Sequence, residues 1–135
     1  MGRTASMIVL DTCALLWWTL GSDELSEKAQ HACSLIPDMG ALLPSSAIWE
    51  IGVKMRRGQL NVGNYTLTDY VRLLKKTPRL ELVPIDADLW VESLNLEWVH
   101  TDPMDRLVVA LAKTRGLPLV TRDRAIRSYY DNVIW

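Results

Sequence analysis

Asp11, Glu50, Asp105 and Asp123 lie far apart in the chain, yet Asp11 and Asp123 are expected to follow strands while Glu50 and Asp105 line or start helices at the same edge. Asp11 closes the apolar run Met7-Ile8-Val9-Leu10 and is followed by Thr12; Asp123 follows Leu119-Val120-Thr121-Arg122. An apolar run of that length, closed by a carboxylate and a hydroxyl, reads as a short buried strand. In parallel α/β sheets chemistry gathers at the carboxyl ends of strands. Asp105 belongs to His100-Thr101-Asp102-Pro103-Met104-Asp105-Arg106, where Asp102 reads as an N-cap, Pro103 as N1 and Asp105 as N3. Like charges converging on one edge raise one another's pKa and oppose folding. A hard divalent cation relieves that repulsion, and Mg²⁺ favours carboxylate oxygens together with waters and phosphate. The pattern therefore points to metal-assisted phosphodiester hydrolysis rather than a carboxylate-only mechanism.

Several polar residues have a plainer reading. Glu50, Lys54 and Arg57 share a polar stripe at i, i+4, i+7, which alone reads as a surface ion pair worth a few tenths of a kcal/mol. Asp86 and Asp102 read as helix caps. His100 stands alone before a cap and reads as a satisfied or solvent-facing imidazole rather than a ligand. A phosphoryl-accepting signalling domain would show an acidic pair after its first strand, where this chain has the single Asp11. A phosphatase with an Asp nucleophile would show Asp-x-Asp, and the sequence reads Asp11-Thr12-Cys13.

The elements that must position these groups alternate regularly. After the first strand comes a helix over 13–20, ended by Gly21-Ser22-Asp23. Ser26 caps the next helix, with Ala29, Ala32, Cys33 and Ile36 inward, and Pro37 stops it. A strand over 41–44 leads into a helix opened by Ser45-Ser46, with Ile48, Ile51, Gly52 and Met55 inward and Gly58 at C′. Beyond a loop at 61–64, Thr66 caps a helix burying Leu67, Tyr70, Val71 and Leu74, ended by Pro78. A third strand spans 80–85, and Asp86 caps a helix whose inward residues read as Ala87, Trp90, Val91 and Leu94. The helix from Asp102 is apolar nearly all round over 107–112 and ends at Gly116. A strand over 117–121, a short helix over 124–130 and an edge strand over 132–135 complete the chain. Such alternation implies βαβ units and a parallel sheet covered on both faces. Trp17 and Trp18 are adjacent and point about 100° apart on a helix. One is then expected to face the core and the other a partner, unless the Ser26 helix buries both.

With 135 residues, a single domain over 7–135 behind a flexible leader over 1–6 is expected. The leader fits a myristoylation pattern only loosely. A formal net charge of −1 removes any global pull toward nucleic acid, so phosphate attraction must come from a local patch. Cys13 and Cys33 form no CxxC pair and read as reduced thiols of a cytoplasmic protein. The apolar run over 8–20 is too short to span a membrane and contains Asp11, and no basic region precedes it as in a secretory signal.

Four segments, in order, carry a family likeness. They are Ile-Val-Leu-Asp-Thr with Leu-Leu-Trp-Trp; Ser-Ser-Ala-Ile-Trp-Glu-Ile-Gly-Val-Lys with Gly-Gln-Leu; His-Thr-Asp-Pro-Met-Asp-Arg-Leu; and Leu-Val-Thr-Arg-Asp. Over 7–130 the chain resembles the PIN-domain family and, more narrowly, the VapC ribonuclease toxins of bacterial toxin–antitoxin pairs. The resemblance implies a three-layer α/β/α fold around a central, mostly parallel sheet of four to five strands. It implies an endoribonuclease using Mg²⁺, with Mn²⁺ as substitute, held by Asp11, Glu50, Asp105 and Asp123; Glu50 is then a site residue. Asp11 and Asp105 are expected to hold the metal most directly, with Glu50 and Asp123 completing the cluster. Thr12 and Thr121 are expected to orient the attacking water, and Lys54, Arg57, Arg106, Arg122 and Arg124 to contact phosphates of the RNA. A homodimer and a VapB-like antitoxin are the implied partners, without a membrane. Met104 stands where this subgroup usually has Phe; both are apolar. A PIN fold serving only as an interaction module is the alternative, and the intact acids argue against it.

Overall fold

A computed structural model describes residues 6–135; apart from Ser6, the expected leader lies outside the described residues. Ile8–Leu10 (β1), Ala41–Pro44 (β2), Leu80–Val83 (β3), Leu119–Val120 (β4) and Val133–Ile134 (β5) form one all-parallel sheet in the order β3-β2-β1-β4-β5. Val9 lies in register with Leu42 on one side and Leu119 on the other. Both β1 and β2 are buried throughout, as central parallel strands covered on two faces must be.

Alternation along the strands divides the core in two. Ile8, Leu10, Ala41 and Leu43 point to one face. There they meet Thr12–Thr19 (α1), Glu27–Ser34 (α2), Ile36–Met39 (α3), Ser46–Arg56 (α4) and Leu67–Lys76 (α5), through Leu15, Cys33, Ile36, Ile51 and Tyr70. Val9, Leu42 and Leu119 point to the other. That face carries Ala87–Asn95 (α6), Pro103–Arg115 (α7) and Arg124–Tyr129 (α8), through Leu89, Leu107, Leu111 and Ile126. The result is the expected three-layer α/β/α arrangement.

Most boundaries follow the local signals. Ser26, Thr66, Asp86 and Asp102 cap their helices, and Thr66 with Asp69 forms a full capping box. Gly116 ends α7 in the left-handed region at φ 64°. Three expectations fail. Pro37 does not stop a helix: α2 ends at Ser34, and Pro37 sits in the first turn of α3, where its missing N–H is no loss. The buried stripe of α6 is Leu89 and Ser93, whereas Trp90, Val91 and Leu94 are 44%, 53% and 75% exposed. The true stripe passes through a serine, so counting apolar residues selects the wrong one. Trp17 and Trp18 are both half-buried against the core, so they do not divide into one inward and one outward ring; the Trp135 ring lies 5.9 Å from that of Trp17. Among the described residues no helix is long and apolar enough to cross a membrane.

Candidate functional site

The strand order reverses between β1 and β4: the chain proceeds outward from β1 to β2 and β3, then returns to β4 and β5 on the other side. Such a switch point leaves a crevice at the carboxyl ends of the two strands. Asp11 and Asp123 follow those strands, and each is the N-cap of the next helix. Asp86 also caps a helix after a strand, but β3 is the sheet's edge and Asp86 lies outside the crevice.

Asp11 is held at both oxygens. Its Oδ1 accepts from the Ala14 N–H at 2.7 Å, and its Oδ2 from the Thr121 hydroxyl at 2.5 Å. Thr121 is wholly buried; while donating to Asp11 it accepts from the Asp123 N–H at 3.1 Å. Asp123 Oδ1 in turn accepts from the Ile126 N–H at 3.0 Å. From α7, Asp102 accepts the Met104 N–H at 2.8 Å, and Asp105 Oδ2 lies 2.7 Å from His100 Nε2. From α4, Glu50 Oε1 accepts the Thr12 hydroxyl at 2.7 Å. A cavity of about 310 Å³ at this edge is lined by Asp11, Glu50, Asp102, Asp105 and Asp123, with Cys13, Trp17 and Arg122 at its walls.

The carboxylates perturb one another. Burial raises the Asp11 pKa from 3.8 to about 6, and the charges of Asp105 and Asp123 add to it against the hydrogen bonds from Thr121 and Ala14. Glu50 is pushed up by burial and by Asp105 and Asp102, with Thr12 and Lys54 pulling back. Asp105 is pushed up by burial and by Asp102 and Asp123, with His100 opposing. Among the described residues the ion pairs are His100–Asp105 and Arg122–Glu24. Asp11, Glu50 and Asp123 therefore have no cationic partner there. Lys54 Nζ lies 3.9 Å from Cys13 Sγ instead of pairing with Glu50, so the surface ion pair expected from spacing alone does not form. An all-oxygen donor set with excess negative charge suits a hard divalent cation. His100, Asp102 and Asp105 also offer three ligand atoms within 4.8 Å of one another. In that trio, His100 is already engaged with Asp105 and Asp102 with the α7 amides.

The structure thus brings together Asp11, Glu50, Asp105, Asp123, Thr12 and Thr121, with Arg122 at the rim. Arg122 stacks over the Trp17 ring at 4.5 Å and pairs with Glu24 at 2.8 Å. Arg57 and Arg124 are exposed and line no part of the cavity. Arg106 turns away onto backbone carbonyls of the α6–α7 connection. Sequence reasoning missed the contact of His100 with Asp105. Its only signal was a histidine five residues ahead of that acid, across a capped turn.

Residues 8–132 match the family model described as PIN domain. No curated protein matches the chain in sequence. Several solved structures share its fold. A toxin–antitoxin complex from Klebsiella pneumoniae aligns with a TM-score of 0.65 at 18% identity, covering 95% of this chain and 96% of that one. FitAcB from Neisseria gonorrhoeae aligns at 0.64 and 19% identity, covering 94% and 96%. VapC20 from Mycobacterium tuberculosis, described as a sarcin–ricin loop cleaving toxin, aligns at 0.60 and 15% identity, covering 90% and 93%. The match spans nearly the whole chain, and the chain belongs to the PIN domain family.

Proposed function

We propose that this protein is a metal-dependent endoribonuclease acting as the toxin of a toxin–antitoxin pair. The observation that carries the reading is the convergence of Asp11, Glu50, Asp105 and Asp123 on one cavity at the sheet's switch point, with no ion pair to Asp11, Glu50 or Asp123 among the described residues. The likeness of fold to a toxin–antitoxin complex and to a toxin described as cleaving the sarcin–ricin loop supports it.

Mg²⁺ or Mn²⁺ held by those four acids would supply Lewis acidity to water and to the phosphoryl oxygens of the scissile bond. The chain's own groups set the geometry. Thr121 fixes Asp11 by one oxygen and the Asp123 backbone by the other side of its hydroxyl, so the two acids keep a fixed spacing. Thr12 does the same for Glu50 across from α1. Arg122, spread on the Trp17 face, places a cation at the cavity mouth where an RNA phosphate would pass. Exposed Trp49, at 69%, and the α6 ridge of Trp90, Val91 and Leu94 are apolar surface of the kind a second subunit or a VapB-like antitoxin covers.

Incubating the purified protein with RNA, with and without Mg²⁺ or Mn²⁺, tests the reading. Cleavage should require the ion, stop with chelator, and vanish in Asp11→Asn and Asp105→Asn. Expression alone should arrest growth in the wild type and not in Asp11→Asn. Cleavage that survives both substitutions would refute the site.

A further inference from the structure

We propose that Arg106 and His100 are positioning residues for the carboxylate site: Arg106 fastens the segment joining α6 to α7, and His100, carried on that segment, holds Asp105. The inference rests on the reading of Asp105 as a metal ligand. It gives Arg106 a role other than the phosphate contact expected from sequence.

A guanidinium has five N–H donors, and here each set is committed to main-chain oxygen. Arg106 Nε donates to Ser93 O at 2.9 Å; Nη1 donates to Trp98 O at 2.6 Å and His100 O at 2.8 Å. Nη2 donates to Leu96 O at 2.8 Å and Leu94 O at 3.4 Å. Ser93 and Leu94 lie in the last turn of α6 and Leu96 is its C-cap, where carbonyls lack intrahelical donors. One side chain from the first turn of α7 therefore closes the end of α6 and laces the chain back to His100.

The same segment is stiffened by its rings. Trp98 lies between Tyr129, at 4.9 Å and 8° interplanar, and His100, at 4.6 Å and 23°. The Arg106 guanidinium stands 6.0 Å from the Trp98 centroid. His100 is thus fixed through its carbonyl by Arg106 and through its ring by Trp98, and its Nε2 reaches Asp105 Oδ2 at 2.7 Å. That bond engages one oxygen of Asp105 and leaves the other for a ligand. Arg122, with half its side chain in solvent, keeps donors to offer a phosphate; Arg106, so committed, does not.

Orienting partners of metal ligands typically matter 10–100-fold in affinity or activity. Mn²⁺ binding, followed by loss of the free-ion EPR signal, should weaken about 10-fold or more in His100→Ala. His100→Gln, which keeps an N–H donor within reach of Asp105, should recover most of that loss. Arg106→Lys should weaken Mn²⁺ binding likewise and lower kcat on RNA, with the salt dependence of RNA binding unchanged. Equal Mn²⁺ affinity in wild type and His100→Ala, or equal loss in the Ala and Gln variants, overturns the role of His100. An Arg106→Lys protein that binds Mn²⁺ normally but loses about one phosphate's worth of salt slope overturns the role of Arg106. Should the Arg106 variant not fold, the His100 pair decides. Wild type that binds Mn²⁺ yet leaves RNA intact fails the ribonuclease reading alone, since the metal affinities still judge the positioning. Wild type that binds no Mn²⁺ overturns both.

Discussion

Replacing Asp11 with Asn should make the metal-free protein more stable, not less. Folding moves the Asp11 pKa from 3.8 to about 6, chiefly through burial. Each tenfold change in proton affinity is worth about 1.4 kcal/mol, so keeping Asp11 ionised in the fold costs on the order of 3 kcal/mol at neutral pH. Asn removes that cost while its Oδ1 keeps the Ala14 N–H and its amide can donate to Thr121 Oγ1. Allowing for imperfect hydrogen bonding, a gain of about 1–3 kcal/mol is expected. At roughly 3–5 °C per kcal/mol for a chain of this size, Tm in chelator at pH 7.5 should rise by about 3–15 °C. The sign with pH is fixed by the direction of the shift. Below pH 3.8 both states hold the proton and the cost is absent. Between 3.8 and about 6 the unfolded chain releases it while the fold retains it, so wild-type stability falls as pH rises; above 6 the cost is complete. Urea denaturation in EDTA at pH 4, 5, 6 and 7.5 should show the two proteins alike at pH 4 and diverging by pH 6. Adding Mn²⁺ at pH 7.5 should reverse the order, because only wild type gains binding free energy. An Asn variant less stable than wild type at pH 7.5, or a gap independent of pH, would refute the account of charge strain.

Glu50→Gln should abolish RNA cleavage without loss of stability, since Thr12 can still donate to Oε1 and a burial-strained charge is gone; activity that persists would return Glu50 to a structural role. Leu89→Ala should cost about 2–5 kcal/mol in urea denaturation, whereas Leu94→Ala, at 75% exposure, should cost under about 0.5; comparable costs would mean α6 is turned differently. Arg122→Ala should raise KM for RNA and reduce the slope of log affinity against log salt by about one with Mn²⁺ affinity unchanged, and an unaltered slope would remove it from the phosphate contacts.

The strands and the cap-marked helix starts are legible in the sequence because they rest on local rules: a run of apolar residues, a capping side chain, a glycine at positive φ. The grouping of Asp11 with Asp123 follows from alternation, right-handed crossovers and the strand-end position of both acids. What sequence does not decide is competition between partners. Spacing allows Glu50 to reach Lys54, but Thr12, 38 positions away, takes the carboxylate. Spacing likewise puts Arg106 beside Asp105, but says nothing of five carbonyls gathered from α6 and its exit. On α6 the more apolar stripe, Trp90, Val91 and Leu94, is the exposed one, and it is the face with Leu89 and Ser93 that is buried.

The acids of this site also show why a cap assignment and a site assignment do not exclude each other. In the sequence Asp11 and Asp123 read as strand-end carboxylates and Asp102 as a cap, yet all three cap helices. In a parallel βα arrangement the helix N-termini lie at the same edge as the strand carboxyl ends, so partial positive charge collects where the acids stand. That field helps the chain keep several carboxylates together with only Lys54 beside Glu50 and Arg122 at the cavity wall. The compensation is incomplete: although Asp11 caps α1 with its own side chain, its pKa is still pushed up to about 6. The fold tolerates the negative charge and leaves it under-compensated, and this residual imbalance is what a divalent cation would meet.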